Sequence, residues 1–413
     1  MAQAVCGCEM QAIMVYLTGN FYWIDPAKAG RQDRLTFYYF RKHFLYYSSK
    51  GEVMYINLKD GMFTDKESLF VDDGSLKAYL YRFESGICAV KLQNSEGFIT
   101  VLPFNGQMVW DAEFHGRSLK METSFAMPKK RELFRDTYGC YIMHCGILAM
   151  GCPSPEDDHG HHGEIPYVTY DSAGIVTGSD EKGRYIAVTG EYEYNRAFGS
   201  HYIARPMAKL YEGSTLIDVS MEVQNKSREA MDLMYMCHIN NKTEAGAEVF
   251  QTLPWTPEHM VVRVSIPQYN TPDPAFMELL GRVQEDVKVT KIIKEGDVYD
   301  PEIVLFLRDP KTDENGKVHF LYVHKDGSAD YTSYDPRVLN RGVRWMVYHK
   351  DWQSMGMVLP STAEPEGYLA EKAKGNVRSL PPQGIFKSEI TTGYMAPGQA
   401  EKMKETIEQI MEG

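Results

Sequence analysis

The sequence predicts an all-β protein: a large antiparallel β-sandwich with a short C-terminal helix. Three observations predict it. Short aromatic and β-branched runs recur along the whole chain, turn residues part them at intervals of about ten positions, and only the last stretch spaces its apolar residues helically.

From Leu35 to Leu102 the runs are LTFYYF, HFLYYS, EVMYINL, KAYLYRF, GICAVKL and FITVL, separated by turn signals such as Asp60-Gly61, Asp73-Gly74 and Asn94-Ser95-Glu96-Gly97. The joints are too short for crossover helices, so neighbours pair antiparallel. The pattern continues through Arg184–Thr189, Glu191–Arg196, His201–Leu210 and Thr215–Val223. Further strands are expected at Met260–Ile266, Val287–Ile293, Ile303–Arg308 and His319–His324. The helix is expected over Gln399–Met411, where Met403, Ile407 and Ile410 recur among Lys and Glu. No Gly/Ser-rich or Pro-rich linker divides the chain. The expected organisation is a β-hairpin extension over residues 1–100, a sandwich over 101–395 and the helix over 396–413.

Composition limits the function. With 43% apolar and 12% aromatic residues in 413, including 27 Tyr, the chain can bury a large core and still line an aromatic groove. A net charge of -12 repels phosphate backbones and anionic lipid, so nucleic acid and membrane are poor partners and a small neutral substrate fits better. Seven scattered cysteines, an odd number, read as reduced thiols, and the opening stretch lacks the basic start of a secretory signal. A cytoplasmic location is expected. A homodimer is compatible with this composition.

Three clusters could carry chemistry. The loop Gly151–Pro166, GCPSPEDDHGHHGEIP, gathers His159, His161, His162 and Glu164. Imidazoles with a carboxylate suit zinc, manganese or iron, and His159, His161, Glu164 and His238 form one candidate ligand set. The stretch FNGQMVWDAEFHGR, Phe104–Arg117, offers Trp110 as a stacking platform for the flat C–H face of a sugar. The stretch RGVRWMVYHKDWQSMGMVLPSTAEPEG, Arg341–Gly367, offers Arg344 as a substrate contact and Glu364 or Glu366 as a general base. A fourth stretch organises the others. In EVQNKSREAMDLMYMCHINNKTEAG, Met231, Leu233, Tyr235 and Cys237 enter the core at period two, which puts His238 at a strand end beside a polar loop.

The order of these clusters resembles the aldose 1-epimerase (galactose mutarotase-like) superfamily, in particular an uncharacterised, DUF4432-like branch. NGQMVWDAEFHGR is similar to an early strand pair of that family, HCGILAMGCPSP to its glycine-rich segment, His162-Gly163 to its HG motif, and VQNKSREAMDLMYMCHINN to its "V-N … H-x-N" segment. The resemblance spans roughly residues 100 to 395. It implies a supersandwich with a sugar cleft, in which His238 is the acid, His162 holds the substrate, and His144 and Asn240 flank them. Catalysis there needs an acid at the ring oxygen and a base at the anomeric hydroxyl. The position matching the family's base is Leu359, which takes no proton. Three readings follow. Glu164, Glu364 or Glu366 has become the base of an epimerase-like reaction; a divalent metal supports isomerisation or elimination; or the cleft binds carbohydrate without catalysis.

Overall fold

The computed structural model describes residues 53–130, 133–266, 272 and 274–413, preceded by the backbone of two hairpins, Ile13–Leu17 with Asn20–Ile24 and Tyr38–Phe40 with His43–Leu45. The other expected features of the first 52 residues lie outside the described residues.

Two antiparallel sheets carry the fold. Along the larger, the strand order is Met260–Val262, Tyr299–Leu307, Arg341–Tyr348, Gln353–Ser361, Met231–Ile239, Ile142–Ile147, Val109–Phe114, Gly97–Val101, Cys88–Gln93, Leu76–Arg82 and Ser68–Asp73. Along the smaller it is Glu248–Gln251, Val318–Val323, Ala329–Tyr334, Ile385–Met395, Leu216–Asn225, His201–Tyr211, Gly183–Asn195, Ser172–Asp180 and Met54–Asn57. Strands between 54 and 101 therefore complete the edges of both sheets.

One apolar core lies between the sheets, drawing Ile142, Tyr235, Cys237 and Ile239 from one and Ile186, Val219 and Ile390 from the other. A second buried cluster covers the opposite face of the larger sheet, with Met143, Cys145, Met234, Met236, Val343 and Leu359 under Trp110, Met121 and Tyr138. The larger sheet is thus buried on both faces, so its central strands read as nearly continuous apolar runs.

Three expectations need correction. Val287–Ile293 is not a strand: Val287–Lys291 forms a 3-10 turn, started by the Asp286 carboxylate accepting from Lys288 N at 2.9 Å. Arg184–Thr189 and Glu191–Arg196 are one strand, because Gly190 continues in extended form. A helix at Pro274–Glu285 was not anticipated, although Phe276, Leu279, Leu280 and Val283 bury one face at helical spacing. The terminal helix, Pro397–Glu412, packs Ala400 and Ile407 on Leu321, Tyr331 and Met395. Among the described residues no helix is long and apolar enough to cross a membrane.

Candidate functional site

Strand parity builds the site. Tyr235, Cys237 and Ile239 point into the inter-sheet core, so Met236 and His238 project from the other face, where a cleft of about 310 Å³ opens. Val343, Trp345 and Val347 reach the same cleft at period two from the neighbouring Arg341–Tyr348 strand.

His238 is 3% exposed and lies edge-on to three rings, Tyr138, His162 and Trp345, at centroid distances of 5.9, 5.3 and 5.3 Å. Burial pushes its pKa down to about 3, opposed only in part by a hydrogen bond with Asn240, so the imidazole is neutral at physiological pH. Asn240 is itself fixed, donating to Cys140 O at 2.9 Å and accepting from Tyr138 Oη at 3.1 Å.

His162 comes from the histidine-rich loop. It stands at φ 60°, followed by Gly163 at φ 85°, and its amide donates to Gly151 O at 2.8 Å. A Cβ on Gly163 would lie 2.1 Å from Ala149 O and 2.6 Å from Gly146 O, so only glycine lets the loop press on the sheet. Burial, with His238 next to it, holds the His162 pKa well below the imidazole range.

Two carboxyl side chains line the cleft, the exposed Asp300 and the partly buried, ion-paired Glu302. Glu302 Oε2 accepts from Trp345 Nε1 at 2.6 Å, and its Oε1 pairs with Arg263; their side chains are 16% and 7% exposed. His161, Arg135, His349, Trp352 and Pro365 are among the cleft's other walls. The sequence reading missed Glu302, Arg263, Trp345 and Trp352. Trp345 had a legible signal in the V-x-W-x-V alternation, whereas nothing local to Glu302 distinguishes it from a solvated acid ahead of an apolar run.

Most other expected site residues lie elsewhere. Glu364 is fully buried, bonded to Arg308 Nε at 2.6 Å and Lys374 Nζ at 2.7 Å; burial pushes its pKa up, but these cations outweigh it and hold the carboxyl low. Glu366 also pairs with Lys374. Glu164 accepts from Leu148 N at 2.9 Å and Tyr202 Oη at 2.7 Å, outside the cleft lining. His144 points into the inter-sheet core and bonds Tyr235 Oη at 2.8 Å; burial lowers its pKa to about 4. Trp110 is a core residue, 2% exposed. Arg344 has the opposite parity to Trp345 and is wholly buried, donating to Met357 O at 3.1 Å and to Gln251, with its guanidinium 5.0 Å from the Trp255 ring centre. Asn240 supports His238 without lining the cleft.

The expected ligand set His159, His161, Glu164 and His238 does not converge. Both ring nitrogens of His159 are engaged by backbone, and Glu164 is engaged as above. Among the described residues, the group close enough to share an ion is Glu364, Glu366 and Glu371, and the Lys374 ammonium already bonds all three.

A family model described as a domain of unknown function, DUF4432, matches residues 84–258. No curated protein matches the chain. A proposed aldose 1-epimerase from Klebsiella pneumoniae superposes with a TM-score of 0.69 over 87% of this chain and 96% of that one, at 14% identity. A galactose mutarotase-like protein from Clostridium acetobutylicum gives 0.51 over 78% and 98%, at 13% identity. The fold is therefore that of the galactose mutarotase-like supersandwich, the superfamily its motifs resemble. In this chain His162, His238 and Leu359 line the cleft together with Asp300 and Glu302.

Proposed function

We propose that this chain is a carbohydrate-active isomerase working by acid/base chemistry at or near an anomeric or carbonyl carbon. The observation that supports it is the convergence of His162, His238 and Glu302 on one cleft walled by Trp345 and Trp352. Indole faces suit sugar C–H surfaces, and the polar groups suit hydroxyls at the rim. A cleft of about 310 Å³ is at the small end for ligand sites and fits one or two sugar rings.

In this reading His238 acts as a neutral imidazole, polarising the ring or carbonyl oxygen through its N–H, as neutral imidazoles do at other enolising sites. Glu302, oriented by Arg263 and Trp345, takes the proton of the anomeric hydroxyl as the bond from C1 to the ring oxygen breaks; the ring oxygen leaves as an alkoxide held by the His238 N–H, and after rotation about C1–C2 it adds back to the carbonyl while Glu302 returns the proton. His162 positions the sugar against His238. Glu302 thus supplies the carboxylate that Leu359 does not.

A second reading, sugar binding without turnover, is favoured by one observation: both Glu302 oxygens are already engaged. Polarimetric and coupled assays across hexoses and pentoses separate the two. Turnover that falls by about 100-fold or more in H238A and in E302Q supports the first. Tight sugar binding with no turnover on any aldose supports the second, and turnover indifferent to both substitutions rejects the catalytic assignment.

A further inference from the structure

The floor of the cleft around His238 is apolar. Met236, Val304, Val343, Val347 and Leu359 line it, and none is more than 4% exposed. Sheet register assembles it. Met236 pairs with Ser361 and Val343 with Leu359, so the antiparallel strands bring Leu359 alongside His238, with Val343 next to it one strand further on. Val304 arrives on the same face from the strand beyond, opposite Trp345. Of the charged residues lining the cleft, Arg135 and Asp300 are exposed, and Arg263 and Glu302 bond each other. The floor side chains are hydrocarbon except for the Met236 thioether, a weak acceptor, and the strand backbone beneath them is engaged in pairing.

A hydroxyl pressed against such a floor loses its water and gains no partner, whereas a methyl group there gains by burial. The pose of the sugar decides which group this is. With the cleft read as an aldose site, on which this inference rests, His238 meets the ring oxygen and Glu302 the hydroxyl on C1. The ring oxygen has one other carbon neighbour, C5, and the C5 substituent therefore stays beside His238, where Leu359, Val343 and Met236 lie. We infer that the substrate is an aldopyranose carrying a methyl group on C5, a 6-deoxyhexose, and that Leu359 and Val343 select it over the corresponding hexose. Leu359, which takes no proton, is in this way a specificity residue. Its side chain and that of Val343 leave the terminal hydroxyl of a hydroxymethyl group without a bond.

Binding, measured by calorimetry on the full chain, tests this apart from turnover. The probes are sets of one ring configuration that differ only at C5: 6-deoxy-D-galactose, D-galactose and L-arabinose; 6-deoxy-D-glucose, D-glucose and D-xylose; 6-deoxy-L-mannose, L-mannose and L-lyxose. In the configuration that binds most tightly, the 6-deoxy sugar should bind about tenfold or more tighter than the hexose, which must desolvate its hydroxyl, and than the pentose, which has no methyl group to bury. Val343→Thr and Leu359→Asn keep the shape of the floor and add a polar group, so each should reduce the preference over the hexose by about fivefold. A hexose bound as tightly as its 6-deoxy partner overturns the inference and leaves the catalytic reading to the turnover of H238A and E302Q. A preference unchanged in both V343T and L359N overturns the assignment to this floor. Absence of binding across all three sets rejects the aldose site, and the inference with it. Should the two variants fail to fold, the wild-type ratios decide.

Discussion

His238 and His144 show how parity decides the meaning of a residue. They lie on paired strands, with Met143 opposite His238 and His144 opposite Cys237, yet one faces a cleft and the other a core. The same division separates Trp345 from Arg344 on one strand. It also yields a measurement. Trp345 and Trp352 line the cleft while Trp110 is packed away, so sugar binding should change the fluorescence of wild type and W110F, and the double variant W345F/W352F should lose most of that change. An undiminished signal in the double variant would move the sugar elsewhere.

At the scale of elements, the segment after the Gln353–Ser361 strand is stabilised by charge. Glu364 and Glu371 are wholly buried, and Lys374 bonds both as well as Glu366, with Arg308 on the far side of Glu364. Burial raises the Glu371 pKa even so. Removing one partner of a buried pair leaves an uncompensated charge, so K374A should lower the unfolding free energy by about 3 kcal/mol in urea titrations. Glu371→Gln in the K374A background should recover part of that loss. A K374A protein as stable as wild type would show that Arg308 alone neutralises the cluster. The segment matters to the site because Pro365, between Glu364 and Glu366, is a cleft wall.

For the whole molecule, buried neutral histidines tie stability to pH. Burial depresses the pKa of His144 to about 4 and of His238 to about 3, against about 6.5 in an unfolded chain. Below pH 6.5 the unfolded chain takes up protons that the folded one refuses, so stability falls with pH until these lower values are reached. Each group contributes a slope of about 1.4 kcal/mol per pH unit in that window and none above it. Urea denaturation at pH 7 and pH 5 should show this loss, and His144→Gln should reduce the slope by about 1.4 kcal/mol per unit. A slope unchanged by H144Q would mean that the imidazole is not neutral in the core.

Alternation and turn chemistry made the strands legible, because side-chain direction in a strand is a local property of the backbone. They located Met231–Ile239 and the terminal helix well and misread Val287–Lys291, where an apolar period of two lies in a 3-10 turn instead of a sheet. His162 and His238 were legible as a pair through their motifs, and the structure sets their rings 5.3 Å apart. Their carboxylate was not. Glu302, Arg263 and Trp345 belong to three different strands or strand ends, and only sheet order and register bring them to one cleft. Glu364, Glu164 and Arg344 were equally plausible in sequence, and tertiary packing gave them buried partners instead. The sequence by itself determined which residues form strands and which faces are apolar, because these depend on neighbours along the chain. Which polar side chains share a cleft depends on neighbours across the sheet, and the tertiary structure alone decided that.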